Sequence, residues 1–194
     1  MVLRQRAAPL TVDQLRSRET KQLIDAMRET MHDAPGVGLA APQVGLPLQL
    51  AVIEDKPEYH RDAPPEFIKE REREPVAFHV IVNPVITLLP GDDVTFFEGC
   101  LSVAGATAVV PRARHVRVDC LDHKGKPRTI HASGWYARIL QHEIDHLYGT
   151  LYLDHMLSRT FMNLENFTRL WKYSKEKEWS ELLDKSPIKK TPSI

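Results

Sequence analysis

The sequence predicts an α+β protein, with small antiparallel or mixed sheets packed around one central helix and a further helix towards each end. Three observations carry that expectation. Strand-like segments recur between residues 49 and 132, separated by turn residues. A helical pattern with apolar Ile139, Leu140, Ile144 and Leu147 follows from Trp135 to Leu147. Amphipathic spacing over 12–33 and again over 163–183 predicts the flanking helices. Segregated strands and helices, rather than their strict alternation, argue α+β.

Each element has its own signal. Leu15, Leu23, Ile24, Met27 and Met31 recur at helical spacing in the first helix, and Asp33-Ala34-Pro35-Gly36 stops it. Residues 36–45, GVGLAAPQVG, form a loop of small side chains, and Gln49–Glu54 reads as a strand. The proline-dotted, charged stretch 55–75 is expected to be a solvated insertion with a helical turn from Glu66 to Arg73. Strands follow at His79–Asn83, Val94–Phe97, Ala106–Val110 and Val116–Leu121. Lys124-Gly125 marks a hairpin whose return strand is Arg128–Ala132. Gly149 is positioned to cap the central helix. Leu164, Phe167, Leu170 and Trp171 form the apolar face of the last helix. No linker or repeat divides the chain, so residues 1–185 are expected to form one domain, with 186–194 a flexible tail.

Composition excludes several function classes. Lys+Arg and Asp+Glu number 26 each, a balance that argues against direct nucleic-acid binding. Two cysteines, Cys100 and Cys120, cannot make a disulfide framework. No apolar run reaches the length of a bilayer span, and the first ten residues lack the apolar region of a secretory signal.

Chemistry concentrates in Gln141-His142-Glu143-Ile144-Asp145-His146. Histidines at i and i+4 lie about 40° apart around a helix axis and share a face, so both rings reach one ion. A metal so held lowers the pKa of bound water, and a carboxylate between the histidines can handle its proton. Glu143 reaches further than Asp145 and is the better base, leaving Asp145 to a supporting role. A third ligand is needed. His155 lies three residues too late for the HExxHxxGxxH pattern, where Tyr152 stands instead, and Glu165 has no further motif to recommend it. Upstream, Glu98-Gly99-Cys100-Leu101-Ser102 offers a thiolate on a loop after an aromatic strand. Two imidazoles and a thiolate suit Fe(II), Zn, Co or Ni. Cys120, alternating within VRVDCL, reads as an inert buried thiol.

The ordered triple GVGLAAPQ (36–43), EGCLS (98–102) and QHEIDH (141–146) resembles the peptide deformylases, from residue 2 to about residue 160. The resemblance implies hydrolytic removal of the formyl group from the N-terminal formylmethionine of new peptides, with release of formate. It implies that Cys100, His142 and His146 hold one divalent ion, Fe(II) in many members and Zn, Ni or Co in others. Glu143 is then general base and proton donor, and Gln43 with the Leu101 backbone N–H stabilises the oxyanion. Substrate backbone would pair with Val37, Gly38 and Gly99, with Glu98 nearby. Val37, Trp135 and Ile139 are expected to line an apolar pocket for the methionine, beside Glu98 and Arg138. The 55–75 insertion and GWYAR at 134–138 are similar to longer members of the family, including organellar ones. The expected partners are formyl-Met nascent chains, with a transient ribosome contact and no membrane. The expected compartment is the cytoplasm of a bacterium, or the mitochondrion or plastid of a eukaryote.

Overall fold

Thr11 opens the first regular helix in the computed structural model, which describes residues 2–34, 36–175 and 177–179. Its hydroxyl accepts the Gln14 N–H at 3.2 Å while the Gln14 side chain accepts the Thr11 N–H at 2.8 Å. This reciprocal cap starts α1 (Val12–Arg16), but Ser17 is extended and caps a second helix, α2 (Arg18–Asp33), through the Thr20 N–H at 3.1 Å. The one helix expected over 12–33 is therefore two. A serine that competes with the helical backbone for hydrogen bonds overrides an unbroken apolar period. Ile24, Met27 and Met31 of α2 and Leu15 of α1 pack on Leu50, Val52, Val80 and Val82.

The chain continues through β1 (Gly38–Ala40), a 3-10 turn at Ala41–Val44, β2 (Leu50–Asp55), α3 (Pro65–Glu70), β3 (Val76–Leu88), β4 (Asp93–Cys100), β5 (Val103–Ala113), β6 (His115–Leu121) and β7 (Pro127–Ser133). Then come α4 (Gly134–Leu147), α5 (Tyr152–His155), β8 (Met162–Asn163) and α6 (Leu164–Leu170). All pairings between these strands are antiparallel. One sheet has the order β1-β2-β3-β6-β7 and the other β4-β5-β8, so β1 and β4 are edge strands. Helix α4 buries Ile139, Leu140, Ile144 and Leu147 against Ala51, Ile53, Ile81, Val116, Val118 and Ile130 of the larger sheet. It is the central helix expected from the apolar pattern.

Two expectations are corrected here. The strand ending at Asn83 instead runs on through Pro84, because a register shift between Val82 and Val85, with Asn83 at φ 49°, absorbs the proline. The 55–75 segment is not simply solvated. Asp55 is buried and receives Arg73 through two bonds of 2.8 and 2.9 Å, and buried Arg71 lies 3.5 Å over the Phe67 ring. Charge density predicts solvent exposure, but these residues are paired or stacked on aromatic faces. The end of the segment packs on the start of α4: Trp135 N–H donates to Arg71 O at 2.8 Å, and a Cβ at Gly134 (φ +57°) would overlap Glu72.

At its other end α4 closes at Tyr148, and Gly149 follows at φ +78°, as the sequence predicts. Of the helix expected over 163–183, only a first part forms as α6, capped by the Asn163 side chain on the Asn166 N–H at 2.8 Å and ended at Trp171, and residues 171–175 are turn and irregular chain. The expected stretch beyond residue 179, and the tail from 186, lie outside the described residues. Phe167, Trp171 and Trp179 cluster on Phe97 of β4.

Candidate metal centre

Helix α4 projects His142 and His146 from one face, their ring centroids 5.0 Å apart. Strand β4 ends at Cys100 in a tight hairpin, where the register shifts between Gly99 and Cys100. That shift delivers the sulfur to the helix: Cys100 Sγ lies 3.3 Å from His146 Nε2. One donor atom each from Cys100, His142 and His146 fall within 4.8 Å of one another. Among the described residues these three are the group assembled in this way. The other proposed third ligands lie elsewhere in role. His155 sits 3.3 Å from Asp145 Oδ2 as a half-exposed ion-pair partner, and Glu165 is exposed in the first turn of α6. Tyr152, at the place of a third histidine, stacks nearly parallel on the His142 ring, with centroids 6.3 Å apart.

Behind His142 lies a buried ionic cluster. His142 Nδ1 is 2.9 Å from Glu98 Oε2, which leaves the other ring nitrogen for the centre. Arg112 grips the same carboxylate through two bonds of 3.0 Å and also bonds Asp145. Arg138 adds a third cation-to-carboxylate bond at 2.7 Å. Glu98, expected near the substrate, lines the cavity wall, and its carboxylate is bonded to His142, Arg112 and Arg138. The spacing of a linear sequence gave no sign of Arg112, because the partnership spans two strands and a helix.

Opposite the histidines stands Gln43 in the 3-10 turn. Its carbonyl oxygen accepts the Ala40 N–H at 2.8 Å, which turns the amide donors towards Ser102 Oγ at 3.2 Å and Cys100 Sγ at 3.7 Å. The Leu101 N–H, one residue past the sulfur, makes no backbone hydrogen bond among the described residues. Gly38 in β1 sits directly on Glu143, where a Cβ would overlap the carboxyl group. Glu143 is buried, and its Oε2 has no hydrogen-bond partner among the described residues.

Burial sets the protonation of these groups. It pushes Glu143 up to about 7, with the carboxylates of Glu98 and Asp145 adding to the effect and His142 opposing it. It pushes His146 down to about 3, helped by the neighbouring His142. For His142 burial acts in the same sense but is outweighed by Cys100 and Glu98, which raise it to about 10. Burial would raise Glu98 too, yet His142 and Arg112 hold it well below the usual carboxylate range. Burial lifts the Cys120 thiol, in keeping with an inert core cysteine.

Gln43, Glu98, Cys100, Leu101, His142 and Glu143 line one cavity of about 480 Å³. Val37, Gly38 and Gly99 from the two sheet edges line it, with Trp135, Ile139 and Arg138 from α4. So do Ala104, Gly105 and Ala106 of β5 and Leu164 of α6, which motif reading missed because no polar signature marks an apolar wall. Two other hollows, of about 630 and 670 Å³, lie away from the ligand-type trio.

The fold and the site together define a class: α+β proteins in which a helix carrying HExxH and a neighbouring strand cysteine form a metal-type centre. A family model described as Polypeptide deformylase matches residues 1–161, and the chain belongs to that family. The chloroplastic peptide deformylase 1A of Solanum lycopersicum is 47% identical over 165 residues, covering 85% of this chain and 60% of that protein. This chain thus spans about three-fifths of that relative's length. The mitochondrial peptide deformylase of Homo sapiens is 44% identical over 163 residues, covering 84% of this chain and 67% of that one. A Met-Ala-Ser-bound crystal structure of a class I type b peptide deformylase from Acinetobacter baumannii superposes with TM-score 0.70 at 35% identity. That match covers 80% of this chain and 92% of the other. Among the described residues no helix is long and apolar enough to cross a membrane.

Proposed function

We propose that this protein hydrolyses the formyl group from the N-terminal formylmethionine of newly made peptides, releasing formate. The observation that carries the reading is the meeting of Cys100, His142 and His146 within 4.8 Å, at a cavity that Cys100, His142 and the buried Glu143 line. The donor set fits a divalent ion. A thiolate and two imidazoles are soft to borderline ligands, the site is largely removed from water, and Glu143 Oε2 is a buried acceptor left without a protein donor. When bound, the ion acts as a Lewis acid that makes water nucleophilic near neutral pH. Fe(II) is the proposed native ion, with Zn, Ni or Co able to replace it.

The chain's own residues supply the rest. Glu143 takes a proton from the attacking water as its oxygen adds to the formyl carbon. The carbonyl oxygen becomes an oxyanion, and the Gln43 amide and the Leu101 N–H donate to it. As the C–N bond breaks, Glu143 returns the proton to the departing amine, and formate and a free N-terminus leave. The edges of β1 and β4 flank the cavity, so Val37, Gly38 and Gly99 can pair with an extended peptide backbone whatever its side chains. Val37, Trp135 and Ile139 offer the apolar contact for the methionine. The partners in this reading are nascent chains, met near the ribosome. The compartment is the bacterial cytoplasm, or the mitochondrion or plastid in a eukaryotic host.

Formate release from a formyl-Met peptide by protein purified anaerobically tests the proposal, alongside metal analysis. Metal-loaded protein that releases no formate refutes it. Glu143→Gln is expected to keep the metal and lose turnover by about two to four orders of magnitude.

A further inference from the structure

Arg138 lies one helical turn before His142 and two before His146, on the same face of α4. It is 2% exposed, and a cation at that depth must be paired. Its bonds run in two directions. Nη1 donates to Glu98 Oε1 at 2.7 Å, on the carboxylate whose other oxygen meets His142 Nδ1 at 2.9 Å. Nη1 also reaches Val110 O of β5 at 2.9 Å, and Nη2 reaches Val94 O of β4 at 2.6 Å. The second set ties α4 to the strand pair that ends in Cys100, and the first fixes the carboxylate that orients His142.

We propose that Arg138 is a positioning residue for the metal centre: it sets the spacing between the strand cysteine and the helix histidines, and it steadies Glu98 against His142. The inference rests on the reading of Cys100, His142 and His146 as metal ligands. Arg112 alone does not duplicate it. Arg112 belongs to β5 and bridges Glu98 to Asp145, so it links the carboxylates of β4 and α4 without reaching the β4 backbone. Arg138 comes from the ligand helix itself and bonds the β4 main chain. Lysine offers a charge but not the planar fork that serves a carboxylate and two carbonyls at once.

The test is Zn(II) binding by competition with a chromophoric chelator, and the absorption spectrum of the Co(II)-loaded protein. Wild type, Arg138→Met and Arg138→Lys are compared, with thermal unfolding recorded for each. Arg138→Met is expected to weaken Zn(II) binding by about 10- to 100-fold and to shift the Co(II) bands, with Arg138→Lys intermediate. A merely structural role would lower the unfolding temperature and leave the affinity of the folded protein and its Co(II) spectrum unmoved. A folded Arg138→Met with affinity within roughly twofold of wild type and an unchanged spectrum overturns the inference. If the methionine variant does not fold, the same two readings on Arg138→Lys decide it. Wild type that binds no Zn(II) overturns this inference together with the metal-centre reading. Wild type that binds Zn(II) but releases no formate refutes the deformylase reading alone.

Discussion

Replacing Gly38 by alanine adds one methyl group at the most crowded point of the cavity. The built Cβ would lie 2.7 Å from Glu143 Cγ and closer still to its carboxyl group, where an ordinary contact needs 3.4 to 4 Å. Something must give by about 1 Å. The β1 backbone is held in register with Ile53 of β2, and α4 is packed on the core, so the mobile partner is the Glu143 side chain itself. A shift of about 1 Å in a reacting group costs about a hundredfold in rate, or roughly 2.7 kcal/mol of barrier. Gly38 has no positive φ, so the backbone accepts alanine without strain, and the stability loss from overpacking should stay within about 1–3 kcal/mol. The assay is kcat/KM for formate release, with metal content and thermal unfolding measured on the same preparation. We expect full metal loading, a modest fall in Tm and about a hundredfold loss of turnover. A folded, metal-loaded Gly38→Ala enzyme with unchanged kcat/KM would show that Glu143 need not sit where β1 holds it.

If the proposed reaction holds, Gln43→Leu removes one oxyanion donor and should lower kcat by about 10²- to 10³-fold without changing metal content; a change in KM alone would argue against that role. Cys100→Ser should lose metal and activity together, whereas His155→Ala should keep both, as metal analysis after dialysis would show. Asp55→Ala removes the buried carboxylate that holds half-buried Arg73 and should cost about 1–3 kcal/mol, read as a lower midpoint in urea unfolding. His79 makes stability depend on pH. Its ring bonds Ala77 O and the Tyr136 hydroxyl, both at 2.9 Å, and burial lowers its pKa from the ordinary 6.5. The unfolded chain therefore binds the proton more readily, and this contribution to stability is complete above about pH 6.5 and is lost as the pH falls below it. His79→Gln should flatten the unfolding midpoint between pH 7 and about 5, and an unchanged slope would remove His79 as its source.

What could be read from the chain, and what could not, follows a physical line. Periodic apolar spacing is local, so α4, its glycine end and most strands were legible, because the core-facing side of each element must be apolar. Ser17 was not, since a single hydroxyl decides between continuing a helix and capping a new one, and the apolar spacing is the same either way. Arg71, Arg73 and Asp55 looked like solvated charge because burial of a charge depends on a distant partner. Leu164 was read as a helix face and proved also to be cavity wall.

The spacing of His142, Glu143 and His146 specified a helical pair of candidate ligands by itself, because three residues on one helix carry their geometry with them. EGCLS and GVGLAAPQ likewise supplied the chemical groups. Only the tertiary structure decided that Cys100 meets that helix, that Gly38 leaves room for Glu143, and that Arg112 and Arg138 converge on the carboxylate behind His142. Those contacts join strands and a helix separated by 14 to 105 residues, and no local rule of chain geometry links them. Sheet pairing and the packing of α4 bring them together.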